Sequence, residues 1–579
     1  MTGLLPLEGS TDVVNLILQV DGNELPRTLT IMAVEVVRQV NRIPYARLRI
    51  GDGEPATEDF PQSSGDYFVP GNELTILAGY QGDTEPIFVG IVLSQRVMVR
   101  SSGSWLEVIC RDPAFKMTQT RHNRYFEEVT DSDIAEELIA EYGLSAEVAI
   151  TEVTHSQLLQ YQATDWDFLL ERLEANGQVV IVTDGTIASV MPALDGEPDA
   201  VIRYGATLLE LDAQFDARSQ SGTIRAMAWD PAAQELQEAE ATDPSWAGNG
   251  NLSADDLVSA AEREEDLLWH GGSLAADALQ SWADGALLRS RLAASQGRAR
   301  FQGLPQVQPG RLLDLAGVSD RFNGIVYVTG VRHEFSNNDW TTDAEFGLPR
   351  RPHTDKFEVN HLPVAGLAPA VSGLQVGIVT QLADDPNGEH RIRVKIPIAG
   401  FDEQGVWARV ATLDAGAGRG TFFRPEVDDE VVLGFFHSDP AQPVVLGMVH
   451  SSANAPPIEA TEDNHQKTYV SRSGITLLFD DDEAVVSLAT PGGNTLTLTD
   501  ADGGIVLEDQ NGNTLTMNSD GIEISSAQAL SLIAGTDLKG EGINTEFTAS
   551  AEFKAEGSAA AALTSSGMLT IEGSLVSIN

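Results

Sequence analysis

The fold of this chain is decided by residues 473–532, which read SGITLLFDDDEAVVSLATPGGNTLTLTDADGGIVLEDQNGNTLTMNSDGIEISSAQALSL. Pairs of apolar residues separated by one polar residue recur throughout, and this period-two pattern is typical of β-strands with one dry face. Glycine, asparagine and aspartate separate the pairs and indicate turns. Residues 493–498, GNTLTL, return almost unchanged as residues 512–517, GNTLTM, so the stretch is a repeat array.

The apolar pairs of this array need a cover that one narrow chain does not supply. Three copies wound around one axis would turn every pair inward and let each strand pair with strands of neighbouring chains. We therefore predict an intertwined trimeric β-helix or β-prism needle over residues 473–579. The alternative is a monomeric sandwich of hairpins, but sandwich cores normally contain more aromatic residues and longer strands than this stretch offers.

The predicted needle interior consists of the apolar residues of the strand pairs. These are Leu477, Leu488, Leu496, Leu498, Ile505, Leu507, Leu515, Met517, Ile522, Ile524, Leu530 and Leu532. A further pair, Leu569 and Ile571, extends the strand pattern towards residue 579.

Composition limits the remaining possibilities. A chain of 579 residues with 42% hydrophobic residues should form several domains. Its 36 basic and 86 acidic residues give a net charge of −50, and such a surface repels nucleic acid and anionic lipid. Two explanations of the acidic surface stay open: it keeps the protein soluble during assembly, or it is an adaptation to a salty environment. Cys110 is the single cysteine, which excludes an intrachain disulfide.

No targeting or membrane-spanning segment is expected. Residues 1–8 lack the basic region and the long apolar stretch of a secretory signal. No apolar run approaches the length of a membrane-spanning helix. We therefore expect synthesis and assembly in the cytoplasm, with another machine carrying the protein out of the cell.

Residues 1–365 are predicted to be mainly β with a few helices. The clearest helices are at residues 131–139, where polar residues can cap the first turn and Gly143 can close the end, and at residues 165–173, which end near Gly177. Residues 230–295 are rich in alanine, leucine and acidic residues, which predicts a helical insertion or surface arm.

Several stretches in this region resemble the hub domain of Vgr-type spike proteins and of phage late-control tail proteins. The resemblance rests on residues 155–169, HSQLLQYQATDWDFL, on residues 226–231, AMAWDP, and on residues 303–335. It implies two similar β-barrels in each chain, so that a trimer presents six barrels. The hub would then be an adaptor between a sixfold tail tube and a threefold spike.

A compact β unit follows a proline- and glycine-containing linker at residues 361–370. Five strands are predicted, at residues 376–380, 391–396, 406–410, 429–436 and 443–449. This number and size suit a small closed barrel such as an OB-fold over residues 371–452. Residues 423–433 and 439–447 also resemble the OB-fold of Vgr spikes, and residues 453–472 are predicted to connect the barrel to the needle.

The candidate catalytic and ligand motifs each favour a structural interpretation. Residues 416–420, GAGRG, lack the Lys-Ser/Thr ending of a phosphate loop and open no predicted helix. The adjacent residues His437, Ser438 and Asp439 cannot point at one another as a triad requires. Residues 480–483, DDDE, could hold Ca²⁺ but lack the glycine-aspartate register of calcium-binding repeats. We therefore predict no catalytic, cofactor or metal residues and no enzymatic activity.

The resemblance implies a homotrimeric central spike of a contractile, phage-tail-like injection apparatus or type VI secretion device, which punctures the target envelope mechanically. Tail tube and baseplate proteins are the implied partners, with effector cargo as a further possibility. Contact with the target membrane would be transient. The alternatives are a trimeric tailspike-like polysaccharide depolymerase and a calcium-dependent adhesin.

The distal end of the needle is predicted to bind a separate tip protein. Related spikes that cap themselves hold a metal ion with histidines, but the last histidine here, His465, precedes the needle. Unpaired strand edges invite association. The resemblance therefore implies a cone-shaped partner of the PAAR-repeat type, bound through Leu575, Val576 and Ile578.

Overall fold

The computed structural model describes residues 14–357, 359, 361–400, 405–501 and 503–578. The chain divides into two compact units, with the boundary between Ala370 and Val371. This boundary is at the end of the predicted linker. Most of the regular structure is β, as the sequence predicts.

The first unit contains 23 strands and five α-helices among its described residues. In chain order they are β1 (Val14–Val20), β2 (Asn23–Glu24), β3 (Ile31–Gln39), β4 (Tyr45–Gly51), β5 (Glu73–Tyr80), β6 (Asp83–Arg100), β7 (Gly103–Arg111), β8 (Arg121–Phe126), β9 (Val129–Thr130), α1 (Asp131–Glu141), β10 (Ser145–Val148), β11 (Thr154–His155), β12 (Leu158–Thr164), α2 (Asp165–Ala175), β13 (Val179–Thr183), β14 (Thr186–Val190), β15 (Ala200–Arg203), β16 (Leu208–Phe215), β17 (Thr223–Asp230), β18 (Glu235–Glu240), α3 (Ala254–Ala261), β19 (Glu265–His270), α4 (Ala276–Leu292), β20 (Ser295–Gln302), β21 (Leu312–Ala316), β22 (Gly324–Ser336), β23 (Asp339–Phe346) and α5 (His353–Lys356).

Thirteen of these strands form one large sheet. Its main path runs β16-β20-β23-β22-β3-β4-β7-β6-β5-β1-β2, and β21 joins it through β22 and brings β15 with it. Two apolar cores lie against this sheet, one around Leu48, Phe88 and Trp340 and the other around Phe301 and Phe346. The antiparallel pairing of β3 with β22 joins the two halves of the predicted hub into this one sheet.

Helices α1 and α2 begin in the same way and confirm the two helix predictions. The Thr130 side chain accepts a hydrogen bond from the Asp133 amide (3.1 Å), and the Thr164 side chain accepts one from the Asp167 amide (3.1 Å). These contacts satisfy amides that have no partner within the first helical turn. After each helix the chain turns through a glycine with positive φ, Gly143 after α1 and Gly177 after α2.

The predicted helical insertion contains strands as well as helices. Helices α3 and α4 are present, but β18 and β19 pair with β17 on either side to form a three-stranded sheet. Helix α4 packs against the inner face of this sheet and also meets the end of α2, where a side chain added to Gly285 would lie 2.7 Å from the Gly177 nitrogen. The region is thus packed within the first unit and is not a free arm.

Histidine 333 lies in the first core and should make this unit sensitive to acid. Its Nδ1 atom is 2.9 Å from the Thr342 hydroxyl, and burial, with a smaller contribution from the charge of Arg38, lowers its pKa to about 3. The unfolded chain would bind this proton below about pH 6.5, so folding stability falls as the pH drops from about 6.5 towards 3.

Because of this histidine, we expect the free energy of unfolding to be about 2 kcal/mol lower at pH 5 than at pH 7. The His333→Asn variant should lose this part of the pH dependence, because asparagine does not titrate. The measurement is the temperature of the first unfolding transition at both pH values. An equal pH response of variant and parent would contradict the assignment.

The second unit begins with seven strands, five of which form a barrel. They are β24 (Gln375–Gln381), β25 (Ile392–Lys395), β26 (Val406–Val410), β27 (Ala415–Gly416), β28 (Arg419–Gly420), β29 (Glu430–Phe435) and β30 (Pro443–Met448). Strands β24, β25, β26, β30 and β29 close into a five-stranded barrel around a core that includes Val394 and Leu433. The OB-fold prediction is confirmed, and the GAGRG motif forms the small hairpin β27–β28.

The second unit continues as a seven-stranded sheet, called the C-terminal sheet below. Its strands are β31 (Gln466–Val470), β32 (Thr476–Asp480), β33 (Val485–Ala489), β34 (Thr495–Thr499), β35 (Gly504–Glu508), β36 (Thr514–Asn518) and β37 (Gly521–Ser525). Each strand pairs antiparallel with the next. The sheet starts at Gln466, inside the segment predicted as a connector. Residues 526–578 form no strand, which differs from the strands predicted around Leu530 and Leu569.

Candidate functional site

The repeated apolar pairs form two straight ladders on one face of the C-terminal sheet. Cross-strand register places Leu477 opposite Leu488, and Leu488 opposite Leu496. The first ladder contains, in strand order, Tyr469, Leu477, Leu488, Leu496, Leu507, Leu515 and Ile524. The second contains Lys467, Phe479, Val486, Leu498, Ile505, Met517 and Ile522. Ten of the twelve predicted interior residues are therefore brought together on one surface.

The opposite face of the same sheet is mostly polar. Its central ladder contains Thr468, Leu478, Ser487, Thr497, Val506, Thr516 and Glu523. Successive side chains of a strand point to opposite faces, so the alternation in the sequence separates the two surfaces cleanly. The sheet has one face suited to water and one suited to a dry contact.

Within a single chain the apolar face is open. Leu488 and Leu498 are 44% and 42% exposed, and Ile522 is 72% exposed. Contiguous apolar surface of this kind is unusual on a protein that works alone, and it indicates an interaction site. We call this surface the apolar face.

The turns at one edge of the sheet share one hydrogen-bonding pattern, in which a side chain stabilises each turn. Ser471, Thr490 and Asp509 each accept a hydrogen bond from the amide four residues further on, over 3.0, 3.2 and 2.9 Å. Hydrogen bonds from the Asn513 side chain and amide, together with the amide of Asn511, lower the pKa of Asp509 to about 2. The carboxylate therefore stays ionised and holds its turn at any ordinary pH.

These turns explain why the pairing differs from the prediction. We expected the strands to pair with strands of neighbouring chains, but β31–β37 pair with one another within one chain. The short turns, with glycines of positive φ at Gly474, Gly493 and Gly512, close the hairpins locally. Other chains are thus not needed as strand partners within residues 466–525.

The acidic run at residues 480–483 is a hydrogen-bonded turn. One Asp480 oxygen accepts bonds from the amides of Asp482 (3.1 Å) and Glu483 (3.2 Å), and the other accepts one from the Gln466 side chain (2.9 Å). The bond from Gln466, with those amides, lowers the Asp480 pKa. Across the described part of the chain, no group of three or more histidine, cysteine and carboxylate residues is arranged to hold a metal ion.

The other candidate residues are not brought together as a site. His437 and Ser438 lie in a turn with positive φ. Leu530 and Leu532 lie beyond the last strand and are 56% and 63% exposed. Leu575, Val576 and Ile578 are also exposed and lie outside the strands.

The sequence analysis did not identify a buried polar network that ties α2 into the first unit. The Asp165 side chain is fully buried and accepts hydrogen bonds from Gln160 (2.7 Å) and Tyr142 (2.7 Å), and His122 Nδ1 lies 2.9 Å away. Arg124 adds an ion pair at 3.3 Å. Burial opposes ionisation of Asp165, but these partners outweigh it and lower the pKa. Both oxygens of the Asp165 carboxylate are thus engaged by hydrogen-bond or ion-pair partners from the protein, which favours a structural role.

Family comparisons match three regions of the chain. Residues 10–337 match the family described as Alg8 N-terminal domain. Residues 375–450 match the type VI secretion system/phage-baseplate injector OB domain, and residues 485–549 match the phage baseplate V C-terminal trimerisation domain. The second match coincides with the closed barrel, and the third begins at β33 of the C-terminal sheet.

Solved structures of tail and secretion proteins resemble parts of the chain. The 43 kDa tail protein of prophage MuSo2 from Shewanella oneidensis is 10% identical, with a TM-score of 0.46 over 58% of this chain and 99% of that chain. The E. coli c3393 protein, a component of the type VI secretion system, is 14% identical, with a TM-score of 0.38 over 75% and 99%. The Francisella PdpA-VgrG complex gives 10% identity and a TM-score of 0.40 over 89% and 88%.

None of the helices described here is both long and apolar enough to cross a membrane.

Proposed function

We propose that this chain is a homotrimeric spike that punctures a target envelope mechanically. The chain belongs to the Alg8 N-terminal domain family over residues 10–337. It also belongs to the Vgr-type spike proteins related to phage baseplate hubs. The observation that carries this proposal is the open apolar face of the C-terminal sheet. Two ladders made mostly of leucine and isoleucine are partly exposed in the single chain, and the matched trimerisation domain covers much of the same region.

The proposed trimer packs three C-terminal sheets with their apolar faces inward. Each sheet forms one wall of a three-sided prism, and the polar ladder of each sheet faces solvent. Burying apolar surface stabilises an assembly by roughly 25 cal/mol per Å², so a face of this length favours association strongly. Hydrogen bonds run between consecutive strands along the whole sheet, which suits a stiff shaft that transmits force.

Electron microscopy of the purified full-length protein tests this function. We expect a broad head, formed by three hub units, and a narrow shaft formed by the needle. Compact particles without a shaft would contradict the proposal.

The proposed partners of the hub are the tail tube and baseplate, with effector cargo as a further proposal. The protein would assemble in the cytoplasm and leave the cell as part of the particle. The large negative charge of −50 per chain disfavours a nucleic-acid partner.

The distal end is proposed to bind a PAAR-type tip protein through Leu575, Val576 and Ile578. Leu575 and Ile578 are each 85% exposed, so three chains would present an apolar patch. A chain truncated after Gly573 should lose a tip protein that co-purifies with the full-length spike. Retention of the tip protein by the truncated trimer, or stoichiometric zinc or iron in the full-length trimer alone, would contradict the proposal.

The matched control keeps the patch and changes the polar residues beside it. Ser574→Ala with Ser577→Ala should retain the tip protein. Loss of the tip protein in this control as well would show that the apolar side chains are not the contact.

The rival activity is cleavage of polysaccharide by carboxylates of the shaft. The Asp480 oxygens are engaged by Gln466 and by backbone amides, which disfavours a catalytic role. Release of reducing sugar from capsular polysaccharide, abolished in Asp480→Asn with Asp482→Asn, would favour the depolymerase over the proposed spike.

A further inference from the structure

The C-terminal sheet carries far more negative than positive charge. Residues 466–525 contain ten acidic and two basic residues, Lys467 and Arg472, so their net charge is −8 per chain. Both basic side chains already form ion pairs, Lys467 with Asp481 and Arg472 with Glu426 (3.0 Å). Three such sheets would bring three times −8, a net charge of −24, into one shaft. Seven strands about 4.8 Å apart make that shaft only roughly 30 Å long.

Much of this charge lies in the turns at one edge of the sheet, opposite the turns that begin at Ser471, Thr490 and Asp509. We call it the acidic edge. Its carboxylates among the described residues are those of Asp480, Asp481, Asp482, Glu483, Asp500 and Asp520. Neighbouring turns of this edge touch, since the Asp500 amide donates a hydrogen bond to the Ala484 carbonyl (3.2 Å). Alternate strands of a sheet lie about 10 Å apart, so the turns repeat at that spacing.

Most of these carboxylates have no neutralising partner. Within the part of the chain that the structure describes, Asp481 is the one carboxylate of the acidic edge that forms an ion pair. The hydrogen bond from the Gln466 side chain, with those from two backbone amides, lowers the pKa of Asp480, so this group stays ionised. The remaining four are exposed and form no ion pair with a described residue, and they are Asp482, Glu483, Asp500 and Asp520.

The proposed prism places each acidic edge at a corner. Around a threefold axis, one edge of a sheet meets the opposite edge of the next sheet. That opposite edge contributes Asp509, whose pKa is lowered to about 2, chiefly by the hydrogen bond from Asn513. Its basic residue, Arg472, is already paired with Glu426. Each corner therefore brings like charges together, while burial of the apolar face favours the trimer.

Salt acts on this balance at the length scale of the turns. The Debye length is about 10 Å at 0.1 M ionic strength and about 3 Å at 1 M. Turns about 10 Å apart therefore repel one another at 0.1 M and are screened from one another at 1 M. The apolar contact carries no charge, so screening does not weaken it.

We propose that the stability of the trimer rises with salt, because dissolved monovalent cations screen the acidic edges of the three C-terminal sheets. This salt dependence rests on the proposed homotrimer. It requires no bound metal ion, only cations in the surrounding solution. It also selects between the two explanations of the acidic surface, since a spike that is held together best in salt is adapted to a salty environment.

Urea-induced dissociation of the purified full-length protein tests the salt dependence, because urea is uncharged and leaves the ionic strength unchanged. The fraction of trimer is measured by sedimentation velocity at increasing urea concentration, in sodium chloride at about 0.1 M and about 1 M. We expect the midpoint of dissociation to be higher at the higher salt concentration by about 0.5 M urea or more. Equal midpoints would overturn the proposal.

A variant with a neutralised acidic edge separates screening from general effects of salt. It combines Asp482→Asn, Glu483→Gln, Asp500→Asn and Asp520→Asn, whose parent side chains accept no hydrogen bond from the described residues. We expect this variant to lose at least half of the parent's shift in midpoint and to dissociate at higher urea than the parent in the lower salt. A full salt response in this variant would overturn the proposal.

The matched control removes four exposed carboxylates from the first unit. It combines Glu136→Gln, Glu137→Gln, Glu147→Gln and Glu197→Gln, which gives the same change in net charge. This control should keep the parent's salt response. Equal loss of the response in both variants would mean that only overall charge matters and would overturn the role of the acidic edge.

Two further outcomes separate this proposal from its premise and from a metal site. A folded chain that forms no trimer at either salt concentration would overturn the homotrimer and the salt dependence with it, whereas a trimer with one midpoint overturns the salt dependence alone. Calcium chloride at about 1 mM is enough to fill a calcium site of extracellular affinity. If it raised the midpoint in the lower salt as far as the higher salt does, a bound metal would replace screening and the proposal would be wrong.

Discussion

Replacing Leu496 and Leu498 together by aspartate should leave the protein unable to form a trimer. Both residues lie on β34, the central strand of the C-terminal sheet, one in each apolar ladder. In the proposed prism the double substitution places six carboxylates inside one narrow layer. Each buried and unpaired charge costs several kcal/mol, so the loss far exceeds what neighbouring layers can offset.

The matched control adds the same two charges to the polar face. Thr497 lies between the two leucines and Ser525 lies on β37, and both side chains point away from the apolar face. Thr497→Asp with Ser525→Asp should keep the parent's sedimentation coefficient. If both variants remained trimeric, the apolar face could not be the contact between chains.

Replacing Asp165 by alanine should destabilise the first unit by about 3–5 kcal/mol. The substitution removes the buried acceptor shared by Gln160, Tyr142 and His122, and it leaves Arg124 with Glu141 as its remaining ion-pair partner. Helix α2 would lose its anchor to β8 and β12. We expect faster amide hydrogen exchange across α2 and a lower first unfolding temperature.

A surface aspartate is the control for this effect. Asp212 pairs with Arg298 at 3.1 Å, but its side chain is 80% exposed. Exposed ion pairs contribute about 0–1 kcal/mol, so Asp212→Ala should leave exchange across α2 unchanged. Similar losses in the two variants would show that the Asp165 network has no special structural role.

Features encoded by local sequence were predictable. The polar start of α1 and the glycines that follow both helices indicated these two elements, because capping depends on residues within one helical turn. The caps themselves, Thr130 and Thr164, lie just before the predicted starts. The five barrel strands followed from apolar runs between turns. The apolar ladders of the C-terminal sheet likewise followed from the alternation of leucine with threonine, which specifies a face without specifying what covers it.

Features that depend on distant residues were not predictable. The strand partners in the C-terminal sheet were wrongly expected in other chains, since the alternation is the same for pairing within or between chains. The Asp165 network joins residues from β8, β12 and α2 with Tyr142, which directly follows α1. No local sequence pattern indicates that these residues come together.

Sedimentation equilibrium of the purified full-length protein at micromolar concentration is the direct test of the proposed homotrimer. The chain mass is 62.0 kDa, so a homotrimer has three times that mass, 186 kDa. We predict a single species of about 186 kDa whose C-terminal sheet is protected from proteolysis. A well-folded monomer of 62.0 kDa, with an ordered C-terminal sheet and no self-association, would contradict the account.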